Sequence, residues 1–251
     1  MQSEKSNNLF IRSVAAVTEK NILIYYTKAP VIIFGLLFPL FIFLAFYLGR
    51  DVDLRSFFPG LLAMSLFFTA SSVGPLITPW EKQAGTYERL LSFPVSINTV
   101  ILGDIAAGML FGLSINMVVL IAGLVFFNYA AHFVTLVLAM LIASFCFSSL
   151  GVLLASPSGR SPSHIMMFSS LIRFPLIFIS GILIPLEKLH GTGRFLAYLS
   201  PITYLVNIFN SGFNGKSYLP LPVSWIMLAI FTTAFILLSN ILHKKNLLKG
   251  L

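Results

Sequence analysis

A short charged segment, residues 81–91, has the residue types of a docking surface. Its four charged side chains recur at positions i, i+1, i+7 and i+8, at Glu81, Lys82, Glu88 and Arg89. On a helix this spacing places them on one broad face, and the leucines and phenylalanine that follow would add apolar contact area. We interpret the segment as a short amphipathic docking helix. The alternative is a solvated loop at a membrane surface.

Two further charges lie at positions where a charge needs an explanation. Arg173 is the one formal charge deep inside a long apolar run, and ionisable residues inside a membrane are usually functional. It could contact an anionic headgroup or hold two helices together, whereas snorkelling to the membrane surface is the alternative. Asp104 lies at the edge of another run. We interpret Asp104 as a polar residue near a helix start, where negative charge is favoured, rather than as a proton carrier.

The sequence does not carry the residue pattern of an active site or a metal centre. Its four histidines are isolated and its one cysteine, Cys146, lies inside an apolar run, so no catalytic residue and no metal site is predicted. Residues 210–217 imitate a phosphate-binding loop, but Asn210 replaces the first glycine and no strand precedes it. We therefore predict no nucleotide site in this chain. The formal charge of +8 is scattered between apolar runs, which argues against nucleic acid as a partner.

The elements that must position these residues lie in a membrane. Of 251 residues, 57% are apolar and only 10% are charged, against about 25% charged in a soluble domain. The apolar runs are continuous rather than alternating, which predicts helices and excludes barrel strands. The uncharged stretch 105–159 is divided at its polar cluster, residues 128–132. A helix of about 20 apolar residues crosses a bilayer, and six stretches fit: 31–49, 57–80, 105–127, 133–156, 165–185 and 223–242.

Charge asymmetry predicts the orientation of the spans. With six spans and a cytoplasmic N-terminus, ten Lys and Arg residues fall on the cytoplasmic side and five outside, as the positive-inside tendency requires. A seventh span within residues 188–213 would place the basic C-terminal tail outside. We therefore predict external, re-entrant helices in that segment, buried within protein. Residues 8–26 mix apolar and charged side chains, which predicts an interfacial helix on the cytoplasmic leaflet.

These elements define an all-α integral membrane protein. It has six transmembrane helices, an N-terminal interfacial helix and external re-entrant helices between spans five and six. Residues 1–251 form a single transmembrane domain, and residues 81–99 connect spans two and three on the cytoplasmic side. Gly108 and Gly112 form a small-residue pair that suits close helix packing. Whether that packing occurs within one chain or between two copies stays open at this point.

The charged segment resembles the cytoplasmic loop of the ABC-2 type transporter permeases. In that family a charged E-x-x-x-G-T-x-E-x-L motif precedes a Pro-Val turn and then a span that opens near Leu-Gly. Here the motif runs from Glu81 to Leu90 and is followed by Pro94, Val95, Leu102 and Gly103. A second match is similar to the external segment of the family, with fixed positions at Ser180, Gly181, Pro185, Pro201, Thr203 and Tyr204.

The resemblance implies the membrane-spanning subunit of an ATP-driven exporter in the plasma membrane, with both termini in the cytoplasm. Its substrates would be drug-like, lipid or glycan molecules. Two ATPase subunits would bind ATP and Mg²⁺, so this chain would need no cofactor and would not be an enzyme by itself. A second permease copy, in a homodimer or a heterodimer surrounded by membrane lipid, would complete the pathway. The coupling residues would be Glu81, Lys82, Gly85, Thr86, Glu88 and Arg89, and the external re-entrant segment would include Gly181, Pro185, Pro201 and Tyr204.

Two other classes compete with this hypothesis. A secondary transporter or channel that is not driven by ATP predicts buried acidic residues or inverted repeats. A membrane enzyme predicts His, Asp or Glu residues that converge near one membrane face. Neither pattern is visible in the sequence. The exporter subunit is therefore the preferred interpretation, and the other two classes are its alternatives.

Overall fold

The computed structural model describes residues 2–49, 54–93, 95–127, 132–157, 161–183, 186 and 189–248. Regular structure within these residues is helical, and none of them lies in a strand. A π-helical turn, Ile33–Leu37, joins the second helix to the third. In chain order the helices are α1 Gln2–Tyr25, α2 Ala29–Ile32, α3 Phe38–Gly49, α4 Leu54–Ser72, α5 Gly74–Gln83, α6 Thr86–Leu91, α7 Ile97–Phe127, α8 Phe133–Leu154, α9 Pro162–Phe178, α10 Thr192–Tyr198, α11 Pro201–Asn214 and α12 Leu221–Leu248.

Length and composition identify the membrane-crossing helices. The predicted first span, 31–49, is divided among α2, the π-helical turn and α3. The predicted fifth span, 165–185, corresponds to α9, which has 17 residues. Four segments among the described residues are long and apolar enough to cross a membrane: Arg55–Gln83, Ile97–Phe127, Phe133–Leu154 and Leu221–Asn246. The chain is therefore an all-α membrane protein, and these four segments overlap four of the predicted spans.

Helix α9 begins and ends earlier than the sequence predicts. It starts at Pro162 and ends at Phe178, so the last residues of the predicted span 165–185 lie beyond the helix. A turn follows the last helical residue, and in it the Ser180 hydroxyl donates a hydrogen bond of 2.6 Å to the Ile177 carbonyl. Gly181 follows with a φ of 82°, a left-handed conformation that glycine adopts without strain.

The helix ends lie at two rims of the bundle: the rim at which α1 packs, which we call the α1 rim, and the opposite rim. At the α1 rim, Asn246 near the end of α12 donates a 2.6 Å hydrogen bond to Ser156 just after α8. Thr18 of α1 reaches the Gly103 carbonyl near the start of α7 at 3.3 Å. At the opposite rim, the rings of Phe58 and Phe127 lie 5.4 Å apart, which joins the start of α4 to the end of α7. Successive long helices therefore run in alternating directions.

Helix α4 is the central element of the bundle. Residues 58–79, which include most of α4 and the first part of α5, are buried throughout. This helix packs against α7 and α8, and Asn116 of α7 donates a 2.7 Å hydrogen bond to the Thr69 hydroxyl of α4. Such a helix is shielded from lipid by its neighbours, so its side chains can be polar wherever a hydrogen-bond partner is present.

The Gly108–Gly112 pair packs within this chain. A Cβ atom at Gly108 would lie 2.8 Å from the Ala70 carbonyl oxygen of α4 and would also collide with the Ser148 hydroxyl of α8. A Cβ atom at Gly112 would lie 2.7 Å from the Ala70 Cβ atom. The absence of side chains at both positions lets α7 approach α4 closely, which is the use of small residues expected in membrane helices.

Helices α10 and α11 occupy the segment predicted as external and re-entrant. Helix α11 has 14 residues, a length of about 21 Å at 1.5 Å per residue, which is shorter than a bilayer core. Its start lies beside the end of α9, because the Ser200 hydroxyl donates to the Leu176 carbonyl at 3.0 Å. Its end lies beside the start of α8, because the His132 amide donates to the Gly212 carbonyl at 3.0 Å. Both ends of α11 therefore face the rim opposite α1.

Candidate coupling site

The charged segment is two short helices joined at a glycine, rather than one helix. Glu81 and Lys82 belong to the end of α5, whereas Glu88 and Arg89 belong to α6. Gly85 separates them with φ 67° and ψ 13°, and this left-handed conformation ends the α5 helix. The prediction that all four charges share one helical face is therefore wrong, because the path of the backbone turns at Gly85.

Glu81 is turned into the protein. Its side chain is buried, with 4% of the residue exposed, and one carboxylate oxygen forms an ion pair with Lys20 of α1. The other oxygen, Oε2, has no hydrogen-bond partner within the described part of the chain. Among the predicted coupling residues, Glu81 thus holds the segment against α1 from inside and does not offer its charge to a partner protein.

Asp104 lies in a buried polar cluster next to this ion pair. It is 2% exposed, and its Oδ1 accepts a 2.7 Å hydrogen bond from the Asn21 side chain of α1. Its Oδ2 accepts from the Thr78 hydroxyl of α5 at 3.4 Å. Asp104 lies about two turns after the start of α7 at Ile97, so it is near the helix start as predicted, but it is buried and paired rather than at a boundary with solvent. Helix α1 covers this part of α7, and its Asn21 is a hydrogen-bond partner that the sequence does not predict.

Tyr87 connects α6 to the same cluster. It is buried although its neighbours on α6 are exposed, and the Lys82 ammonium lies 5.3 Å from the centre of its ring. Burial raises the pKa of the Tyr87 hydroxyl, and the negative charges of Asp104, Glu81 and Glu88 raise it further. The Thr86 hydroxyl also donates to the Glu81 carbonyl at 3.2 Å. Helix α6 is therefore attached to α5 and to the polar cluster by its first two residues.

Four residues of the segment and one that follows it form an exposed surface, which we call the coupling face. Helix α6 projects both signs of charge there, with one acidic and one basic side chain adjacent in sequence. Phe93 adds an apolar side chain that is 64% exposed. An exposed surface with mixed charge and an aromatic residue suits a protein partner. The coupling face comprises Gly85, Thr86, Glu88, Arg89 and Phe93.

Arg173 lies inside the helix bundle. It is 1% exposed, so the snorkelling alternative is wrong. Its Nη1 donates to the Ser72 hydroxyl of α4 at 3.2 Å, and its Nε donates to the Ser169 carbonyl one turn earlier on α9 at 3.4 Å. Its guanidinium carbon is 5.9 Å from the centre of the Phe68 ring, within the range of a cation–π contact. Arg173 therefore joins α9 to α4, which is one of the two roles that the sequence predicts.

The predicted external residues lie around α10 and α11, with Pro185 outside the described residues. Pro201 is the first residue of α11, where its ring suits the helix start. The Tyr204 hydroxyl donates to the Tyr198 carbonyl at 2.8 Å, which ties α11 to α10. Gly181 follows α9, and a Cβ atom there would lie 2.9 Å from the Leu186 Cγ atom. These residues shape the turns of the segment, and in the described part of the chain no group of three His, Cys, Asp or Glu residues could hold a metal ion.

Comparisons with known proteins cover the residues described above. A family model described as ABC-2 type transporter matches residues 12–214, which include the coupling face, Arg173 and α11. The inner membrane transport permease YadH of Escherichia coli (strain K12) is 27% identical over 180 residues, which cover 72% of this chain and 70% of that protein. The protein of the same name from Shigella flexneri is similar to the same extent.

Proposed function

Because this chain belongs to the ABC-2 type transporter family, we propose that it is the membrane-spanning subunit of an ATP-driven exporter. The family match and the long apolar helices make the chain a multi-pass permease subunit of a membrane transporter. Export of a drug-like, lipid or glycan substrate, with a separate subunit that hydrolyses ATP, is the proposal. The observation that carries it is an exposed coupling face whose supporting residues are buried and hydrogen-bonded.

The proposed topology has six spans and both termini in the cytoplasm. Helices α2 and α3 with their π-helical turn form the first span, and α9 with the turn that follows forms the fifth. Helices α10 and α11 form the external re-entrant segment, a position supported by the contacts of both ends of α11 at the rim opposite α1. The α1 rim is then cytoplasmic, and α1 lies along the inner leaflet with exposed Leu9, Ile11 and Leu23 in contact with lipid.

The proposed assembly contains two permease chains and two ATPase subunits. The permease pair is a homodimer or a heterodimer, and the ATPase subunits bind ATP and Mg²⁺, so this chain holds no cofactor. Each ATPase subunit contacts one coupling face. The partner can drive export only by binding one conformation of the permease better than the other, so the coupling face has to move with the spans rather than independently of them.

The buried cluster behind the coupling face supplies that mechanical link. Displacement of α6 acts on α5 through the Thr86 hydrogen bond and the buried Tyr87 side chain. From α5 it acts on α1 through the ion pair of Lys20 with Glu81, and on α7 through Asp104. Helix α5 follows α4 after a single residue, Val73, so the displacement also reaches the central helix of the bundle.

Reversal of charge on the coupling face tests the proposal. We expect Glu88→Lys and Arg89→Glu to reduce recovery of the ATPase subunit at least several-fold in a pull-down and to reduce transport, because charge at an interface sets register and excludes wrong pairings. Both residues are exposed, so the permease itself should remain folded and present in the membrane at wild-type level.

The matched control is Arg194→Glu, an equivalent change at an exposed position on α10, at the opposite rim. It should leave ATPase recovery unchanged. Full ATPase recovery and full transport in both coupling-face variants would refute the coupling assignment. Transport that continues in the absence of any ATPase subunit would instead support a secondary transporter or channel.

A further inference from the structure

Arg173 is a buried charge without a counter-charge in the described part of the chain. Its two hydrogen-bond acceptors, the Ser72 hydroxyl and the Ser169 carbonyl, are neutral. The ion pair found among the described residues joins Lys20 to Glu81, on other helices. An unpaired charge at membrane depth is costly, so its retention on the inward face of α9 requires a compensating interaction.

A second copy of this chain cannot supply the missing carboxylate. Six of the eight acidic residues lie outside both the predicted spans and the candidate membrane-crossing segments. The other two, Glu81 and Asp104, lie within Arg55–Gln83 and Ile97–Phe127, but they are only 4% and 2% exposed and are held by partners in their own chain. A neighbouring permease chain of the same sequence therefore has no free carboxylate to offer Arg173. The acidic residues are Glu4, Glu19, Asp51, Asp53, Glu81, Glu88, Asp104 and Glu187.

The guanidinium also retains unused hydrogen-bonding capacity. Arginine carries five N–H donors in a planar fork that matches a phosphate or a carboxylate. Two of them have acceptors among the described residues. One turn away on α9, the Ser169 hydroxyl is buried and has no hydrogen-bond partner among the residues that the structure describes. Charged and hydroxyl donors thus lie together on one side of α9, with donors left over for a ligand.

The surroundings of these donors are aromatic. The rings of Phe38, Phe68 and Phe174 lie against one another, with centroid distances of 4.5 Å, 5.3 Å and 5.9 Å. The guanidinium carbon lies 5.9 Å from the centre of one of these rings, that of Phe68. A ligand that reached Arg173 would meet an anion-binding group beside an apolar surface. That combination suits an amphipathic anion and does not suit a small hydrated ion.

We propose that Arg173, with the hydroxyl of Ser169, binds the phosphate or carboxylate group of an amphipathic substrate when α9 and α4 separate during transport. This inference rests on the proposed function and names the substrate class of that exporter. In this structure, where α9 packs near α4, the guanidinium contacts the Ser72 hydroxyl and the Phe68 ring. In the open arrangement the anionic group of the substrate replaces them, and its apolar body lies against the aromatic rings.

Ligand-dependent thermal unfolding of the purified full chain in neutral maltoside micelles tests this inference without an ATPase subunit. The probes are dodecyl phosphate, dodecanol and inorganic phosphate. We expect dodecyl phosphate to raise the melting temperature and the other two to have little effect. Arg173→Gln should weaken the apparent affinity for dodecyl phosphate by about tenfold or more, because a hydrogen bond to a charged group is worth about 1.5–3 kcal/mol. Arg173→Lys, which keeps the charge, should weaken it less.

Two further variants keep the test decisive if Arg173→Gln folds poorly. Ser169→Ala removes a buried hydroxyl that has no partner in this structure, so the melting temperature without ligand should not fall, while the response to dodecyl phosphate should weaken. Arg12→Gln removes an exposed charge on α1. It should change neither the melting temperature without ligand nor the response to dodecyl phosphate. Equal dodecyl phosphate affinity in the wild type, Arg173→Lys and Ser169→Ala would overturn the inference, and so would an equal response to inorganic phosphate. Loss of ATPase recovery in the pull-down would not affect this result, so the two proposals fail separately.

Discussion

The ion pair between Lys20 and Glu81 is the residue-scale contact that fixes α1 to the end of α5. The lysine side chain is 28% exposed and the glutamate side chain is 5% exposed. The carboxylate has therefore given up most of its hydration, and Lys20 is its principal compensation. Removal of one partner of such a pair leaves an uncompensated buried charge, which costs more than the pair contributes when intact.

Lys20→Met is expected to destabilise the folded chain by about 2 kcal/mol, because it leaves the buried Glu81 charge unpaired while preserving the apolar stem. Glu81→Gln in the same chain should restore most of the loss, since the amide carries no charge. Thermal unfolding of the purified protein in detergent measures both effects. Additive losses in the double variant would mean that the two side chains are not coupled.

The sequence alone could not reveal the burial of Glu81 and Asp104. Both residues look like boundary charges, because each lies at the end of an apolar run. Their partners come from α1, 61 and 83 positions away in the chain. No local pattern predicts such a pairing. Arg173 was predictable as an anomaly, since a single charge in a long apolar run is visible in the sequence, but its contact with Ser72 was not.

At the scale of the elements, close packing of α7 against α4 and α8 depends on Gly108. A Cβ atom there would lie 2.8 Å from the Ala70 carbonyl oxygen, which is backbone and cannot rotate away. We expect Gly108→Ala to cost about 1–3 kcal/mol of stability, the usual range for overpacking. Unfolding in detergent measures the loss.

The matched control for this prediction is Gly193→Ala on α10. A Cβ atom at Gly193 would meet only the Leu189 Cδ2 atom, at 3.5 Å, which is an ordinary contact. The change should stay within about 0.5 kcal/mol of the wild type, as for most surface substitutions. Equal stability of the two glycine variants would show that α7 can move away from α4 without loss.

The helices themselves were largely predictable, and the breaks between them were not. Long uncharged runs mark α7 and α8, and the polar cluster at 128–132 lies between their observed ends, Phe127 and Phe133. The break between α5 and α6 at Gly85 was not predicted, because a glycine inside a charged segment is compatible with both a helix and a turn. The break at Val73 leaves no sequence signal of its own apart from the Gly-Pro that follows.

At the scale of the whole molecule, the two rims give the chain a defined polarity. The end of α5 contacts α1, the ends of α8 and α12 meet at the same rim, and the turns around α10 and α11 lie at the other rim. The Lys and Arg asymmetry of the sequence then predicts which rim is cytoplasmic. This prediction places the coupling face and the basic C-terminal tail on the same side, where ATP is available.

Single-cysteine labelling in a Cys146→Ser background tests this orientation. Cys146 is buried, so its replacement removes the one native thiol without altering the surface. His190 and Lys245 are exposed and lie at opposite rims. We expect His190→Cys to react with a membrane-impermeant maleimide in intact cells, and Lys245→Cys to react only after permeabilisation. The reverse pattern would place the coupling face outside the cell, where no ATPase subunit could reach it, and the exporter proposal would fail with the topology.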